Sequence, residues 1–191
     1  KPLFGKRILV TRTRTQASEL VMLLEDNGAD CLEGSTIALV DPDSWTETDK
    51  ALADIGNYDW LLFTSINAIS FFFKRLRDTG MDERDLKGAQ IGVVGTATAE
   101  SLHEYGIKAD RLPKEFTGEG LAEALLEQGV KGNKILIPRA LKASEILPEK
   151  LHEGGAEVTV APVNKHVRPD DYAMVRKALE EKKIDMVTFT S

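Results

Sequence analysis

Two stretches of the sequence return after nearly the same interval, and this repetition strongly constrains the fold. Residues 7–12 (Arg-Ile-Leu-Val-Thr-Arg) are echoed 127 positions later by residues 134–139 (Lys-Ile-Leu-Ile-Pro-Arg). The pattern Asp…Phe-Thr-Ser of residues 59–65 is echoed 126 positions later by residues 185–191. Because two separate blocks share nearly the same offset, we interpret them as copies of a duplicated unit of about 125 residues.

Residues 59–65, together with the segment that follows them, combine the features of a strand, a turn and a helix. Residues 60–63 are apolar, and Ser65 is a plausible N-cap because its hydroxyl accepts from a first-turn amide. The helix that follows is predicted to bury residues 69, 72, 73 and 76, which recur at helical spacing.

Strands and helices are predicted to alternate along the whole chain. Apolar β-branched runs predict strands, and a period near 3.6 predicts helices. Predicted strands cover residues 8–11, 31–39, 60–63, 90–94, 110–112 (a short edge strand), 134–137, 157–163 and 186–189. Predicted helices cover residues 15–27, 46–55, 121–128, 144–153 and 170–182, with others after Ser65 and up to Tyr105. This alternation predicts an α/β fold with mainly parallel sheets.

Composition narrows the class of protein. No apolar run approaches the ~20 residues that a membrane helix needs, so no membrane partner is expected. The net charge of −6 argues against a nucleic-acid partner, which usually meets a basic face. The single Cys31 excludes an internal disulfide and indicates a reducing, cytoplasmic location.

The common catalytic motifs are not supported by the sequence. His103, His152 and His166 are spread out, so no metal site is predicted. Ser65 lacks the flanking glycines of a nucleophile elbow, which leaves helix capping as its simplest role. Residues 92–97 lack the third glycine of a dinucleotide-binding loop.

Small polar residues instead open helices just after several predicted strands. In open α/β sheets these strand ends line the ligand crevice, and helix N-termini there offer free amides to anions. Arg12 and Arg139 follow two of the strands, so the crevice suits a large anion with several carboxylates; the alternative for each arginine is solvated surface charge. The polar segments are residues 64–65, 95–98, 117–118 and 190–191.

Five segments in order resemble the uroporphyrinogen-III synthase family. They are residues 6–12, 62–68, 93–99, 138–140 with 146–148, and 187–191. The resemblance implies two similar α/β domains with parallel sheets, joined by a two-stranded β ladder. It places an incomplete discontinuous domain at residues 1–36 plus 166–191, a continuous domain at 41–160, and the linker strands at 37–40 and 161–165.

The resemblance also implies a reaction. Members of the family close hydroxymethylbilane, an open-chain tetrapyrrole with several carboxylates, into uroporphyrinogen III. Water is lost, ring D is inverted and no cofactor is needed. An upstream hydroxymethylbilane synthase would supply the substrate, and the product would serve heme, siroheme or cobalamin synthesis.

Site residues are carried over from the family by motif, together with the strand-end Arg12. The family holds its ligand largely through main-chain amides and hydroxyls in the cleft between the domains. A Tyr that has been suggested as the acid is replaced here by Asn164, which is not a comparable proton donor, so the catalytic group is unknown. The implied substrate-binding residues are Arg12, Ser65, Asn67, Gly95, Thr96, Ala97, Thr98, Arg139 and Ser191.

The two ends of the chain carry further expectations. The second copy of the duplicated unit stops at Ser191, so we expect a C-terminally truncated chain whose natural form runs about 60 residues further. On that reading, the chain as given would lack part of the cleft and could be inactive. Residues 2–7 resemble the junction at which this synthase follows a uroporphyrinogen methyltransferase, which predicts a fused or associated methyltransferase.

Two other functions remain open on the sequence. The first is a non-catalytic two-domain module that binds a small or polycarboxylate anion. The second is a Rossmann-like nucleotide enzyme, which ranks last because its glycine pattern is incomplete.

Overall fold

The computed structural model describes residues 1–11, 14–34 and 37–189. Contacts divide the chain into a first unit, Lys1–Leu39 with His166–Ser191, and a second unit, Val40–Lys165. Among the described residues, no helix has both the length and the apolar character that a membrane span requires.

Eight strands and seven α-helices are found in the described residues, and they largely alternate along the chain. The strands are β1 (Arg7–Val10), β2 (Asp30–Glu33), β3 (Ala38–Val40), β4 (Trp60–Phe63), β5 (Gln90–Val93), β6 (Lys134–Ala140), β7 (Glu157–Val167) and β8 (Met186–Thr188). The helices are α1 (Arg14–Asp26), α2 (Thr46–Ala53), α3 (Ile66–Asp78), α4 (Thr96–His103), α5 (Gly118–Gln128), α6 (Ile146–Glu153) and α7 (Tyr172–Glu180). The predicted α/β fold is therefore confirmed.

A five-stranded sheet in the order β3-β7-β6-β4-β5 forms the centre of the second unit. The pairs β4–β5, β4–β6 and β6–β7 are all parallel. The chain passes between the two units within β3 and within β7. The separate two-stranded ladder stays a prediction.

Strand β4 is buried on both faces, as the uninterrupted apolar run Trp-Leu-Leu-Phe requires. Leu61 and Phe63 face a core built with α2, α3 and α4. Trp60 and Leu62 face a second core built with α5 and α6. Alternation along one strand thus fills both helical layers of the second unit.

The core on the α3 side is rich in aromatic rings. Phe63 meets Phe72 edge to face with ring centroids 5.4 Å apart, and Phe73 stacks on Tyr105 at 4.2 Å. Residues 69, 72, 73 and 76, which were predicted to form the buried face of α3, are fully buried. These contacts fix where α3 begins relative to the end of β4.

The first unit holds a smaller parallel sheet in the order β2-β1-β8. Asp185, just before β8, accepts a hydrogen bond from the amide of Arg7 at 2.8 Å, which lowers the pKa of its carboxyl group. Asp59, just before β4, accepts the same bond from the amide of Lys134 at 2.8 Å. Duplication would explain this correspondence between echoed residues, and it stays a prediction.

Four predicted strands differ from the observed ones by more than one residue. The strand predicted at residues 157–163 continues to Val167. In place of the strand predicted at residues 31–39, β2 and β3 lie in two different sheets, and residues 35 and 36 between them are outside the described residues. Residues 110–112 form only an isolated bridge between Gly92 and Arg111. The strand predicted to end at Ile137 continues through Pro138 and Arg139 to Ala140. Its pairing with β4 reaches only to Leu136, so Pro138 lies where β6 pairs with β7 alone.

Replacing Phe63 by Ala tests the aromatic core. Phe63 is fully buried, so we expect Phe63→Ala to lower the free energy of unfolding by about 3–5 kcal/mol through lost contacts and a cavity. Both tryptophans, Trp45 and Trp60, lie in the second unit, so their fluorescence in a urea titration reports its unfolding.

The matched control is Phe116→Ala, the same truncation at a side chain that is 57% exposed. We expect a loss of less than about 1 kcal/mol for the control. Equal losses in the two variants would contradict the assignment of Phe63 to the core.

Candidate functional site

The carboxyl ends of β4, β5 and β6 meet at one edge of the five-stranded sheet, because these strands are parallel. Helices α3, α4 and α6 each begin after one of these strands. Helix α5 leads into β6, so its N-terminus lies at the same edge. In open α/β sheets this is the edge at which ligands bind.

Helix α3 starts with a side-chain cap and two unused amides. The hydroxyl of Ser65 accepts a hydrogen bond from the amide of Ala68 at 3.1 Å, so the predicted cap is present. The amides of Ile66 and Asn67 have no acceptor among the described residues. Both are first-turn donors that the helix itself cannot satisfy.

Helix α4 starts without any side-chain cap, because its N-cap residue is Gly95. Within the described chain, the amides of Thr96, Ala97 and Thr98 all lack an acceptor. The first amide bonded within this turn is that of Ala99, which donates to the carbonyl of Gly95 at 3.0 Å. This start therefore exposes a run of consecutive donors.

Helix α5 starts in the same way as α3. The hydroxyl of Thr117 accepts from the amide of Gly120 at 2.9 Å. The amides of Gly118 and Glu119 find no acceptor in the part of the chain that is described. We call the acceptor-free amides of Ile66, Asn67, Thr96, Ala97, Thr98, Gly118 and Glu119 the amide edge.

A cavity of about 510 Å³ adjoins the amide edge. We call it the β6 cavity, since Ile137 and Arg139 of β6 line it. Its remaining wall comes from the ends of β4 and β5, the turn before α5, and the start of α6: Thr64, Val94, Glu115, Phe116, Thr117, Gly118, Glu119, Ala143, Ser144, Ile146, Leu147 and Pro148.

The β6 cavity opens where two neighbouring strands stop pairing. The last paired residues of β4 and β6 are Leu61 and Leu136. Beyond them Pro138 has no amide hydrogen to donate, and Thr64 and Arg139 lie on the cavity wall. A proline is tolerated inside β6 because the strand has one partner here instead of two.

Arg139 is the cation of the cavity, and it is only 6% exposed. Its Nη1 donates to the carbonyl of Ser144 at 2.5 Å, and its Nη2 donates to the carboxylate of Glu145. Its Nε is buried and has no acceptor among the described atoms. Arg139 thus holds the loop before α6 and keeps one donor unused.

Carboxylates at the cavity are partly neutralised. Glu119 pairs with Lys150 at 2.5 Å, and Lys150 also reaches Glu123 at 3.1 Å. These hydrogen bonds raise the pKa of the Lys150 ammonium group. The Glu119 side chain is therefore engaged on α6, while its main-chain amide stays unused.

The structure brings most of the sequence-predicted site residues to one edge. Ser65 and Asn67 lie at the start of α3, and residues 95–98 at the start of α4. Arg139 lies on the wall of the β6 cavity. Arg12 and Ser191 lie outside the described residues.

Several residues of the cavity were missed by the sequence analysis. Phe116 and Ile146 are 57% and 48% exposed, and both line its wall. The available signal was their position, since each is a large apolar residue next to the start of a helix. Ser144 and Glu145 were missed because their bonds to Arg139 depend on the path of the loop.

Asn164 lies on β7 and is 1% exposed. Its carbonyl accepts from the amide of Leu141 at 2.8 Å, and its side-chain oxygen has no partner among the described residues. It does not line the β6 cavity. Across the described residues, no group of three or more His, Cys, Asp or Glu could hold a metal ion.

Two glycines in the first turn of α5 provide a test of how the turn before this helix is positioned. A Cβ on Gly120 would lie 2.3 Å from the carbonyl oxygen of Glu115, whereas one on Gly118 would lie 3.6 Å from Leu147. We expect Gly120→Ala to lower the free energy of unfolding by about 1–3 kcal/mol through this clash.

The control Gly118→Ala should be neutral or stabilising by up to about 1 kcal/mol, because alanine favours a helix. Urea unfolding followed by tryptophan fluorescence measures both variants. Similar effects at the two positions would show that the turn is not held by close packing on Gly120.

Comparisons with known sequences point to one family. The family model described as Uroporphyrinogen-III synthase HemD matches residues 18–191. The chain is 35% identical over 195 residues to a uroporphyrinogen-III synthase of Synechococcus elongatus, covering all of the chain and 72% of that protein. It is 34% identical over 192 residues to a porphyrin biosynthesis protein HemD of Ruminiclostridium josui, of which it spans 38%.

Solved structures show the same fold. A mutant uroporphyrinogen III synthase of Thermus thermophilus matches with a TM-score of 0.71 over 98% of the chain and 73% of that protein. The identity is 18%, so this likeness concerns the fold alone. Because the family model covers nearly the whole sequence and a relative at 35% identity covers all of it, the chain belongs to the uroporphyrinogen-III synthase family.

Proposed function

We propose that the protein is a uroporphyrinogen-III synthase that closes hydroxymethylbilane with loss of water and inversion of ring D. The observation that carries this proposal is the amide edge, on which three helices present acceptor-free donors side by side. A linear tetrapyrrole with several carboxylates is a ligand of matching charge and extent. Membership of the family supports the same conclusion.

Main-chain amides suit this substrate for a physical reason. Each helix N-terminus carries a partial positive charge, worth about 0.3–1 kcal/mol to a nearby anion. A hydrogen bond to a charged group adds about 1.5–3 kcal/mol. Several carboxylates spread along the edge would therefore be held firmly with few cationic side chains.

The proposed ligands are the residues that open α3 and α4, together with Arg139. These residues contribute mainly through main-chain groups; Thr98, for example, is only 5% exposed. They are Ser65, Asn67, Gly95, Thr96, Ala97 and Thr98. Arg139 contributes its unused Nε. Arg12 and Ser191 belong to the proposed set on sequence grounds alone.

The reaction needs the two ends of the substrate to be brought together. The hydroxyl of the hydroxymethyl group takes up a proton and leaves as water, driven by the electron pair of its pyrrole. The remaining carbon bonds to the substituted α-carbon of ring D and gives a spiro intermediate. The bond from ring D to its original bridge breaks and reforms at the opposite α-carbon, which then loses a proton.

The main contribution of the protein in this scheme is to hold the substrate in a folded shape. Such positioning lowers a barrier by avoiding the entropy cost of bringing the reacting atoms together. The group that protonates the leaving hydroxyl is not assigned. The position of the Tyr suggested as the acid in the family is held here by Asn164, whose amide is not a comparable proton donor. An upstream hydroxymethylbilane synthase must supply the substrate, and a fused or associated methyltransferase stays a prediction.

A non-catalytic module that binds a polycarboxylate anion is the second candidate. The observation that favours it is the amide edge without an assigned acid beside it. Such a module would bind tetrapyrroles without changing the product that forms. The same experiment separates the two functions.

The test is to supply hydroxymethylbilane to the full-length protein and to separate the product isomers by chromatography. We expect the type III isomer to predominate, because only the held substrate inverts ring D. Protein denatured by heat serves as the control and should give the type I isomer of spontaneous closure. Type I product alone from the native protein would contradict the synthase and favour the binding module.

A further inference from the structure

Phe116 is exposed at a place where an apolar side chain is normally covered. It precedes Thr117, the N-cap of α5, and a residue at this position commonly packs against the fourth helical residue. That residue, Leu121, is fully buried, while the Phe116 side chain is left 57% exposed. The ring is therefore available to a ligand.

The ring of Phe116 is held beside the start of α4. Its Cγ and Cδ2 atoms lie 3.6 and 3.9 Å from the position of a Cβ on Gly95. Phe116 also lines the β6 cavity together with Ile146, which is 48% exposed. The cavity thus has an apolar wall close to the amides of α4.

The same cavity has a polar end. Arg139 is more than nine-tenths buried, and its Nε has no acceptor among the described atoms. A buried donor without an acceptor is costly, so an unused one at a cavity indicates a ligand that accepts. The amides of Gly118 and Glu119 add two more donors on the same wall.

The size of the cavity limits what it can receive. At about 510 Å³ it falls in the lower half of the range of about 300–1,000 Å³ that is typical of small-molecule sites. This volume suits one ring with its side arms and not four rings. The volume and the mixed polar and apolar lining therefore match a flat ring that carries a carboxylate arm.

We propose that the β6 cavity seats a single pyrrole ring of the tetrapyrrole, with Phe116 against the ring face and one carboxylate arm on Arg139 Nε and the amides of Gly118 and Glu119. Phe116 is then a specificity-determining residue. The identification of the ring as a pyrrole rests on the proposed function.

The Arg139 guanidinium group that would meet the carboxylate arm already binds one carboxylate, that of Glu145. Glu145 occupies Nη2 of Arg139, and the carbonyl of Ser144 occupies Nη1. The arm therefore takes Nε and the two amides, and the existing bonds keep the guanidinium group in place. The side chain of Phe116 thus recognises the ring, while the main-chain amides and the guanidinium group recognise the carboxylate.

The test follows the main-chain amide signals of Gly118 and Glu119 by NMR while 3-(1H-pyrrol-3-yl)propanoate is added to the full chain. A ligand of this size should bind with a Kd on the order of 1–10 mM. Cyclopentanepropanoate, which has the same arm and no aromatic face, should bind about threefold to tenfold more weakly. Phe116→Ala should remove this preference, and Phe116→Tyr should retain it.

Leu112→Ala is the matched control, because Leu112 is exposed in the same unit and does not line the β6 cavity. It should leave binding unchanged. Absence of shifts at Gly118 and Glu119, equal binding of the two probes by the unaltered chain, or unchanged selectivity in Phe116→Ala would each overturn the proposal.

The outcome can be separated from that of the proposed function. Selective binding of the pyrrole probe by a protein that forms only type I product would support ring binding in the β6 cavity and contradict the synthase function. Type III product from a protein that fails the probe test, or that keeps its full rate in Phe116→Ala, would support the synthase function and contradict ring binding in the β6 cavity.

Discussion

The proposed chemistry of the second unit depends on the main-chain amides at the starts of α3, α4 and α5 that have no acceptor among the described residues. An α-helix cannot satisfy its own first-turn donors, and here Ser65 and Thr117 each satisfy only one of them by side-chain capping. Gly95 satisfies none through a side chain. Because the strands before α3 and α4 are parallel neighbours, the remaining donors lie together along one edge and favour an anion.

The apolar interior determines where these donors lie. β4 is buried on both faces, and the ring contacts of Phe63 and Phe72 link its end to the buried side of α3. Pairing between β4 and β6 stops at Leu136, and the β6 cavity lies beyond this point. Arg139 lines the cavity, and its Nε has no acceptor among the described atoms. The same sheet thus positions both the amide edge, which is polar, and the β6 cavity, which is lined by polar and apolar residues.

Local sequence chemistry predicted the start of α3 well, because a cap such as Ser65 acts within its own turn. It failed where the outcome depends on distant partners. Pro138 ended the predicted strand, yet β6 continues through it because β4 no longer pairs there. In place of the strand predicted at residues 31–39, β2 and β3 lie in two different sheets. The sequence assigned no role to Phe116, because the place of its exposed ring beside Gly95 depends on residues far apart in the chain.

The central claim is that main-chain amides, more than side chains, hold the substrate. It is tested most directly by comparing kcat/KM of Thr96→Pro and Thr96→Ala in the full-length protein, with formation of type III product as the readout. Both variants lose the hydroxyl, and only the proline loses the amide; the extended Gly95 before it accommodates a proline at the first helical position. We predict that kcat/KM of Thr96→Pro is about tenfold below that of Thr96→Ala, since one charge-assisted hydrogen bond is lost. Equal values for two folded variants would contradict the claim.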